Sequence, residues 1–467
     1  MERMSALDAG FFHVESENVP MHVGSVAVFE GPAPTYGDLI RLLLSKLPQV
    51  PRYRQRVRTL PLSFGRPVWA DDEHFQILYH VRHTAVPGPG GPEELRNLAG
   101  RVFGQRLDRA KPLWEVWLVE GLEKGRWAII SKVHHCMVDG VAGTDLMTLI
   151  FDVAADAEHP PPREWSPRPA PSALSLVADG LRAAVTEPAR QVAGVPAVAR
   201  NISGFTGLRD FGRGLPGTLR RLTDTPVRSL NGPVGPHRRW AWTEAELAQV
   251  KRIRRAVGGS VNDVVLAAVT HGFRDLLTGR GEQVDGRVVR SLVPVSVRAP
   301  AERGTLNNKV AGVLVNLPVD EPAPLRRLAL VRGQMDEIKR TRQALAAEAL
   351  TGLAGFAAPT LLALGSRSAF RLPQSLVQAV TTNVPGPRFP LYVLGRPMCQ
   401  AYPFVPIGNN LRVSVGIFSY LGHLHFGVNA DYDTVPDVEV LTEGIRRGFD
   451  ELLAAAETAA EARAAEV

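Results

Sequence analysis

The chain has 467 residues, 45% hydrophobic and 22% charged, so it can bury the cores of two domains and is not intrinsically disordered. No apolar run approaches the roughly 20 residues that span a bilayer and no signal segment is visible, which predicts neither a helical membrane span nor standard export. The two cysteines provide no disulfide framework and indicate the reducing cytoplasm. The net charge of +7, without a nucleic-acid motif, favours contact with an anionic lipid surface over contact with nucleic acid.

Residues 1–155 alternate between strand-like and helix-like patterns. Short apolar runs predict strands, and apolar residues at helical spacing predict helices. The predicted strands are 23–29, 113–120 and 127–133, and the predicted helices are 36–47, 93–107 and 139–154. This alternation predicts a first domain of the α/β class.

Residues 156–235 have a different composition. Prolines at 160–162, 167, 169 and 171 rule out regular structure at the start of this linker. Beyond it, the segment 174–222 mixes apolar residues with arginines and is interrupted by prolines and glycines. Two interpretations remain open: a basic amphipathic surface that docks on lipid, or a crossover of short helices with solvated arginines.

Residues 236–467 return to an α/β pattern and form the predicted second domain. The predicted strands are 288–297 and 310–319, with a hairpin of 410–418 and 424–428, and the predicted helices are 260–277, 325–342, 344–364 and 438–466.

The segment His134-His135-Cys136-Met137-Val138-Asp139-Gly140 carries the clearest chemical signal. It follows the apolar run 127–133, and Gly140 supplies a break after it. A histidine titrates near neutral pH, so it can take a proton from an attacking hydroxyl or amine and return it to the leaving group. Side chains alternate along a strand, so His134 shares a face with Lys132 and should point away from the reaction centre. This parity favours His135 as the base and leaves His134 to support the loop.

The cysteine inside this segment, Cys136, has two interpretations. Cys136 could be a nucleophile, but its neighbour His135 would point to the opposite face of a strand. We therefore expect a small packed thiol. The remaining close histidines, His80 with His83 and His423 with His425, have no carboxylate or thiol at a ligand spacing, so no metal site is expected.

An oxyanion formed during such a reaction needs donors that are already aimed at it. Ser260 can cap the helix that follows, with Asp263 reciprocating, and the helix start then presents free N–H groups. Asn262 is the candidate donor, although Asn262 and Asp263 could serve the cap alone. Pro112-Leu113-Trp114 could line a substrate channel, while a strand with Trp114 is more often core.

Further motifs occur in order along the chain: Leu7-Asp8-Ala9-Gly10-Phe11-Phe12, Pro20-Met21-His22-Val23-Gly24, Pro112-Leu113-Trp114-Glu115, Leu230-Asn231-Gly232-Pro233, Val261-Asn262-Asp263-Val264-Val265-Leu266-Ala267, Val293-Pro294-Val295-Ser296-Val297-Arg298, Asn383-Val384-Pro385-Gly386-Pro387, Ser419-Tyr420-Leu421-Gly422 and Ala430-Asp431. Together with the histidine segment they resemble the bacterial wax ester synthase/diacylglycerol acyltransferase family, nearly from end to end. Leu306-Asn307-Asn308 departs from the Leu-Gly-Asn-like turn of that pattern, and asparagine also tolerates a left-handed backbone.

The resemblance implies two chloramphenicol-acetyltransferase-like α/β domains, with an active-site tunnel at their interface and His135 midway along it. It implies transfer of a long-chain acyl group from acyl-coenzyme A, a substrate and not a cofactor, to diacylglycerol or a fatty alcohol. The expected location is cytoplasmic, at a membrane or lipid-droplet surface. Similar enzymes pair the motif's aspartate with an arginine of the second domain, here Asp139 with Arg298. Asp139 could alternatively orient the catalytic imidazole directly.

Two other functions share parts of this pattern. A condensation-like enzyme would use the same histidine segment but take its acyl group from a carrier protein. A non-catalytic lipid-droplet or membrane scaffold would keep the fold without using His135 for chemistry. Activity with free acyl-coenzyme A argues against the first, and loss of transfer in His135→Ala with intact folding argues against the second.

Overall fold

A computed structural model describes residues 2–59, 66–138, 143–172, 225–296, 310–340, 376–408 and 410–465, with the single positions 174, 175, 178 and 182. The helices in these ranges are α1 (Ala6–Val14), α2 (Tyr36–Lys46), α3 (Ile77–His80), α4 (Pro92–Gly104), α5 (Gly143–Ile150), α6 (Leu247–Val257), α7 (Val261–Gly279), α8 (Pro324–Arg340) and α9 (Val438–Ala465). The predicted helix 344–364 and the first residues of the predicted helix 139–154 lie outside the described residues.

The strands of the first half are β1 (Glu2–Arg3), β2 (His22–Phe29), β3 (Gln55–Arg58), β4 (Val68–Asp71), β5 (Val81–Ala85), β6 (Trp114–Glu120) and β7 (Trp127–His134). The strands of the second half are β8 (Thr225–Pro226), β9 (Arg238–Glu246), β10 (Arg287–Ser296), β11 (Val310–Leu317), β12 (Ala379–Pro385), β13 (Tyr392–Val393), β14 (Arg396–Phe404), β15 (Val413–Tyr420) and β16 (His423–Asp431). The mixed α/β class and the predicted hairpin of β15 and β16 are confirmed.

The first large sheet has the strand order β13-β14-β2-β7-β6-β5. β7 is central, and all eight of its residues are buried, as the apolar run predicted. Its partners β2 and β6 fix its register, with His22 opposite His134 and Trp114 opposite Val133. Apolar cores cover both faces of the sheet, so the end of β7 is held from several directions.

The second large sheet has the order β11-β10-β12-β15-β16-β9, with β8 beside β10. Its apolar face packs against α7 and α9 in the largest core of the described residues. β12 runs parallel to both β10 and β15. A parallel arrangement needs crossover connections, so this sheet is not a simple meander.

Strand β14 joins the two sheets. It comes from the second half of the chain but pairs with β2 of the first sheet, from Met398 opposite Phe29 to Phe404 opposite Gly24. Where it passes β16, a Cβ atom at Gly427 would overlap the carbonyl oxygen of Pro403, so only glycine allows this approach. The boundaries 1–155, 156–235 and 236–467 remain a prediction, and the first sheet contains strands from the third of these regions.

The first residues of the linker pack against the amino-terminal half of the chain. Residues 156–172 contain no helix or strand, as their prolines predicted. Arg168 donates from its backbone amide and its guanidinium to the carboxylate of Asp71, at 3.0–3.2 Å. The amide of Ala170 donates to Glu73 at 2.8 Å. These contacts fix the linker to the lobe that precedes it.

Across the described ranges, no helix combines the length and apolar character needed to cross a membrane.

Candidate active site

The histidine segment forms a tight turn at the end of β7. The strand ends at His134, and residues His135–Met137 form a single turn of 3₁₀-helix. The backbone amide of His135 donates to the carbonyl oxygen of Met21 at 2.7 Å. The amide of Cys136 donates to Nδ1 of His134 at 3.1 Å, so the His134 side chain caps the turn that presents His135.

His134 is fully buried and held in one protonation state. Because its Nδ1 accepts the Cys136 amide, a neutral ring carries its proton on Nε2. Nε2 lies 3.6 Å from a carboxylate oxygen of Glu15, beyond hydrogen-bond distance. Burial, opposed by the charge of Glu15, lowers the pKa of His134 to about 4. His134 is therefore neutral at physiological pH, and its Nδ1 anchors the turn.

Glu15 is a buried carboxylate with several partners. Its oxygens accept from the Met21 amide at 3.2 Å, from Arg109 at 2.8 Å and from Arg106 at 3.4 Å. Burial would raise the pKa of Glu15, but the charge of Arg109 and the hydrogen bonds from Arg109 and the Met21 amide hold it below its usual value. Glu15 therefore stays ionised, with its charge balanced by arginine.

His135, the next residue, is partly buried. Its ring stacks on Phe11, with the centroids 3.9 Å apart and the planes at 27°. Burial lowers the pKa of His135 below its usual value, and a hydrogen-bonding interaction with its own backbone offsets part of the effect. Its Nδ1 has no hydrogen bond to another of the described residues. The ring is thus neutral at pH 7 and is held by stacking.

On the sequence alone, Lys132, and with it His134, is expected to point outward from the strand. This assumption about Lys132 is wrong. Lys132, the neighbour of His134 on the same strand face, is 0% exposed. The Lys132 ammonium donates to the carbonyl oxygens of Val102 and Gln105, at 3.1 and 2.9 Å, and lies 3.3 Å from Glu115. A lysine with this many internal partners is stable in the core, so residue type did not indicate the outward face.

Cys136 is a packed thiol, as expected. Its side chain is 3% exposed, and burial raises the pKa of the thiol well above its usual value. A thiol that stays protonated at neutral pH is a poor nucleophile.

Three of the predicted site residues, Asp139, Gly140 and Arg298, lie outside the described residues, so the proposed ion pair remains a prediction.

The predicted capping box at the start of α7 is present. The Ser260 amide donates to the Asp263 carboxylate at 2.7 Å, and the Asp263 amide donates to Oγ of Ser260 at 3.2 Å. Asn262 is not part of this cap. Its side-chain oxygen instead accepts from Nδ2 of Asn383 in β12 at 3.4 Å, which leaves the Asn262 amide nitrogen available to donate elsewhere.

The proposed channel residues are buried. Leu113 and Trp114 are 0% exposed and belong to one apolar core. The Trp114 indole donates to the carbonyl oxygen of Tyr53 at 2.8 Å and stacks on His80. Pro112, directly before them, is also buried. These contacts favour the core interpretation, and a channel role for the three residues stays a prediction.

Sequence reasoning missed three residues that shape the site: Glu15, Phe11 and Arg109. Phe11 lies inside the motif 7–12, and Glu15 follows it at the end of α1. A carboxylate placed directly after an apolar helix was the available signal for Glu15. In the ranges that the structure describes, no group of three or more His, Cys, Asp or Glu side chains could hold a metal ion.

Comparisons with known proteins agree with this arrangement. The model of the wax ester synthase/diacylglycerol acyltransferase catalytic domain matches residues 4–265, and that of the family's C-terminal domain matches residues 306–453. A Mycobacterium tuberculosis protein named a probable diacylglycerol O-acyltransferase is 35% identical over 456 residues, 97% of this chain and 96% of that one.

Two solved structures share the fold. The wax ester synthase/diacylglycerol acyltransferase of Marinobacter aquaeolei VT8 superposes with a TM-score of 0.69 and 26% identity, covering 98% of this chain and all of that one. The first condensation domain of the calcium-dependent antibiotic synthetase, at 18% identity, gives a TM-score of 0.59 and covers 98% of this chain and 96% of that one. The fold is thus that of a two-domain acyltransferase. The chain belongs to the wax ester synthase/diacylglycerol acyltransferase family.

We predict that Glu15→Ala destabilises the protein by about 3 kcal/mol, because it leaves Arg109 and Arg106 without their buried counter-charge. Urea unfolding followed by circular dichroism measures the effect. The control is Glu443→Ala, which breaks an exposed pair with Arg446 and should cost less than about 1 kcal/mol. Equal losses in the two variants would contradict the role given to Glu15.

Proposed function

We propose that the protein transfers a long-chain acyl group from acyl-coenzyme A to the free hydroxyl of diacylglycerol, with His135 as the general base. The name of the M. tuberculosis relative supports this acceptor. The observation that carries the proposal is the geometry of the two histidines. One is buried with Nδ1 bonded within the turn, and the other is partly buried, neutral and held only by stacking and its own backbone.

The reaction requires His135 to accept one proton from the acceptor hydroxyl and to donate it to the departing thiolate. His135, neutral before the reaction, accepts the hydroxyl proton as the acceptor oxygen attacks the thioester carbonyl. The tetrahedral intermediate then collapses, the carbon–sulfur bond breaks, and the imidazolium returns the proton to the departing thiolate. Nδ1 of His135 is buried, so we propose that Nε2 is the ring nitrogen that accepts the proton.

No acyl-enzyme takes part in this proposal. The only cysteine near the base is Cys136, whose buried thiol is protonated at neutral pH. For the oxyanion we propose the side-chain amide of Asn262 as a donor. Its oxygen accepts from Asn383 at 3.4 Å, a contact that helps to orient the amide before the reaction. A long-chain alcohol in place of diacylglycerol would give a wax ester by the same steps, and the family's name covers both products.

We predict that His135→Ala lowers the rate of acyl transfer by about 10² to 10⁴-fold, the usual contribution of a positioned general base. Purified protein is incubated with labelled palmitoyl-coenzyme A and either diolein or hexadecanol, and the lipid products are resolved. The ratio of triacylglycerol to wax ester in the wild type gives the acceptor preference.

Two control variants sharpen this measurement. His83→Ala removes a more exposed histidine of the same sheet, paired with Glu120, and should keep wild-type turnover. Cys136→Ala removes the thiol and should also remain active. Undiminished turnover in His135→Ala would reject His135 as the base, and inactivity of a folded Cys136→Ala would favour a thioester intermediate.

The pH profile provides an independent prediction. The base must be unprotonated, and burial lowers the pKa of His135 below its usual 6.5. Activity should therefore be fully present at pH 7 and fall as the pH drops through the lowered pKa, so that the acid midpoint of kcat/KM lies below 6.5. An acyl N-acetylcysteamine thioester is the suitable donor because it carries no titrating phosphate. A midpoint above 6.5 would contradict the environment described for this ring.

We also propose that the protein works in the cytoplasm, at the surface of a membrane or lipid droplet, because both its acceptor and its product are apolar lipids. The excess of basic residues, +7 overall, suits an anionic surface. Sedimentation with vesicles should then increase with phosphatidylglycerol content and decrease with salt. Binding that responds to neither would remove the electrostatic part of this proposal.

A further inference from the structure

A cavity of about 270 Å³ lies between residues 163–165 of the linker and residues 47–54. Three apolar residues before β3, Leu47, Pro48 and Pro51, line it together with Arg54. The linker contributes Arg163, Glu164 and Trp165. None of these residues belongs to the site around His135, so the cavity needs its own explanation.

Arg54 is the unusual member of this lining. The residue is only 6% exposed, yet its guanidinium has no hydrogen bond or ion pair among the described residues, and its Nε is buried without a partner. Its Cζ lies 5.1 Å from the ring centroid of Trp165 and 6.0 Å from that of Phe75. Aromatic stacking thus orients the guanidinium, and its buried Nε is left without a hydrogen-bond partner.

A buried positive charge without a counter-charge is unfavourable unless something supplies one. The residues that line the cavity do not supply this counter-charge. Arg163 lines the same space, has no side-chain partner in the part of the chain that the structure describes, and adds a second positive charge. Glu164 is the one carboxylate among the lining residues named, and it makes no ion pair with Arg54. The balance of charge therefore favours an anion.

The linker side of the cavity is held in place. Trp165 packs edge-on against Phe75, with centroids 6.1 Å apart. Three residues further along, Arg168 is bonded to Asp71 through its amide and its guanidinium. The contacts of Trp165 and Arg168 therefore anchor the linker wall of the cavity, as a preorganised binding site requires.

We propose that this cavity binds a doubly charged oxyanion, either phosphate or a phosphate monoester, through the guanidinium groups of Arg54 and Arg163. Planar guanidinium groups match the oxygens of phosphate two at a time. The apolar side formed by Leu47, Pro48 and Pro51 offers room for the carbon group of a monoester. The proline-rich linker then has a role beyond connection, because it supplies half of a binding site.

Binding is measured on the full-length protein by titration calorimetry at constant ionic strength, with sodium chloride as the reference. Three probes distinguish the sources of the phosphate group: inorganic phosphate, glycerol 3-phosphate and a short-chain phosphatidic acid. We expect one equivalent to bind per chain, and Tm to rise by about 3 °C at a ligand concentration one hundred times Kd.

Arg54→Gln and Arg163→Gln should each weaken binding by about tenfold or more, since each removes a charged donor. Arg163 is exposed and unpartnered, so its replacement tests the site even where Arg54→Gln fails to fold. Arg52→Gln is the matched control from the same turn; Arg52 contacts Trp69, Gln55 and Glu2 instead, and binding should persist.

The proposal is overturned when none of the three probes binds the wild type more tightly than chloride, or when Arg163→Gln binds as well as the wild type. Because no turnover is measured, failure here would leave the assignment of His135 untouched.

Discussion

The site around His135 depends on one buried carboxylate. Glu15 accepts a hydrogen bond from the amide of Met21, and the carbonyl of Met21 accepts one from the amide of His135, so two hydrogen bonds link the carboxylate to the histidine turn. The same carboxylate lies beside His134 and is neutralised by Arg109. An ionised group in the core is stable only with such partners, and meeting that requirement brings α1, β2 and the end of β7 together.

The two histidines of the turn have different environments. His134 uses Nδ1 to hold the amide of Cys136 and is fully buried, so it is unsuited to exchanging protons with a substrate. His135 stacks on the ring of Phe11, which orients the imidazole, and its Nδ1 has no hydrogen bond to another described residue. Adjacent residues in one turn thus acquire opposite environments, because the strand ends between them.

The sequence was sufficient for elements whose pattern is local. The buried strand 127–133, the amphipathic helix α4 and the capping box of Ser260 with Asp263 all follow from residue spacing. The sequence was insufficient where contacts between distant parts of the chain determine the structure. β14 contains Pro397 and Pro403, which argue against an interior strand, and its pairing with β2 and β13 stabilises it there. The burial of Lys132 likewise depends on carbonyl groups that residue type cannot reveal.

The passage of β14 into the first sheet has a consequence for biosynthesis. Until Phe404 has left the ribosome, the edge of β2 that receives β14 has no partner, although β7 and β6 are already available on its other side. The amino-terminal half therefore cannot complete its own sheet during translation, and an open strand edge persists on the nascent chain. Contacts so distant in sequence also slow folding. Chaperone cover of that edge would matter more for this protein than for one whose lobes mature in succession.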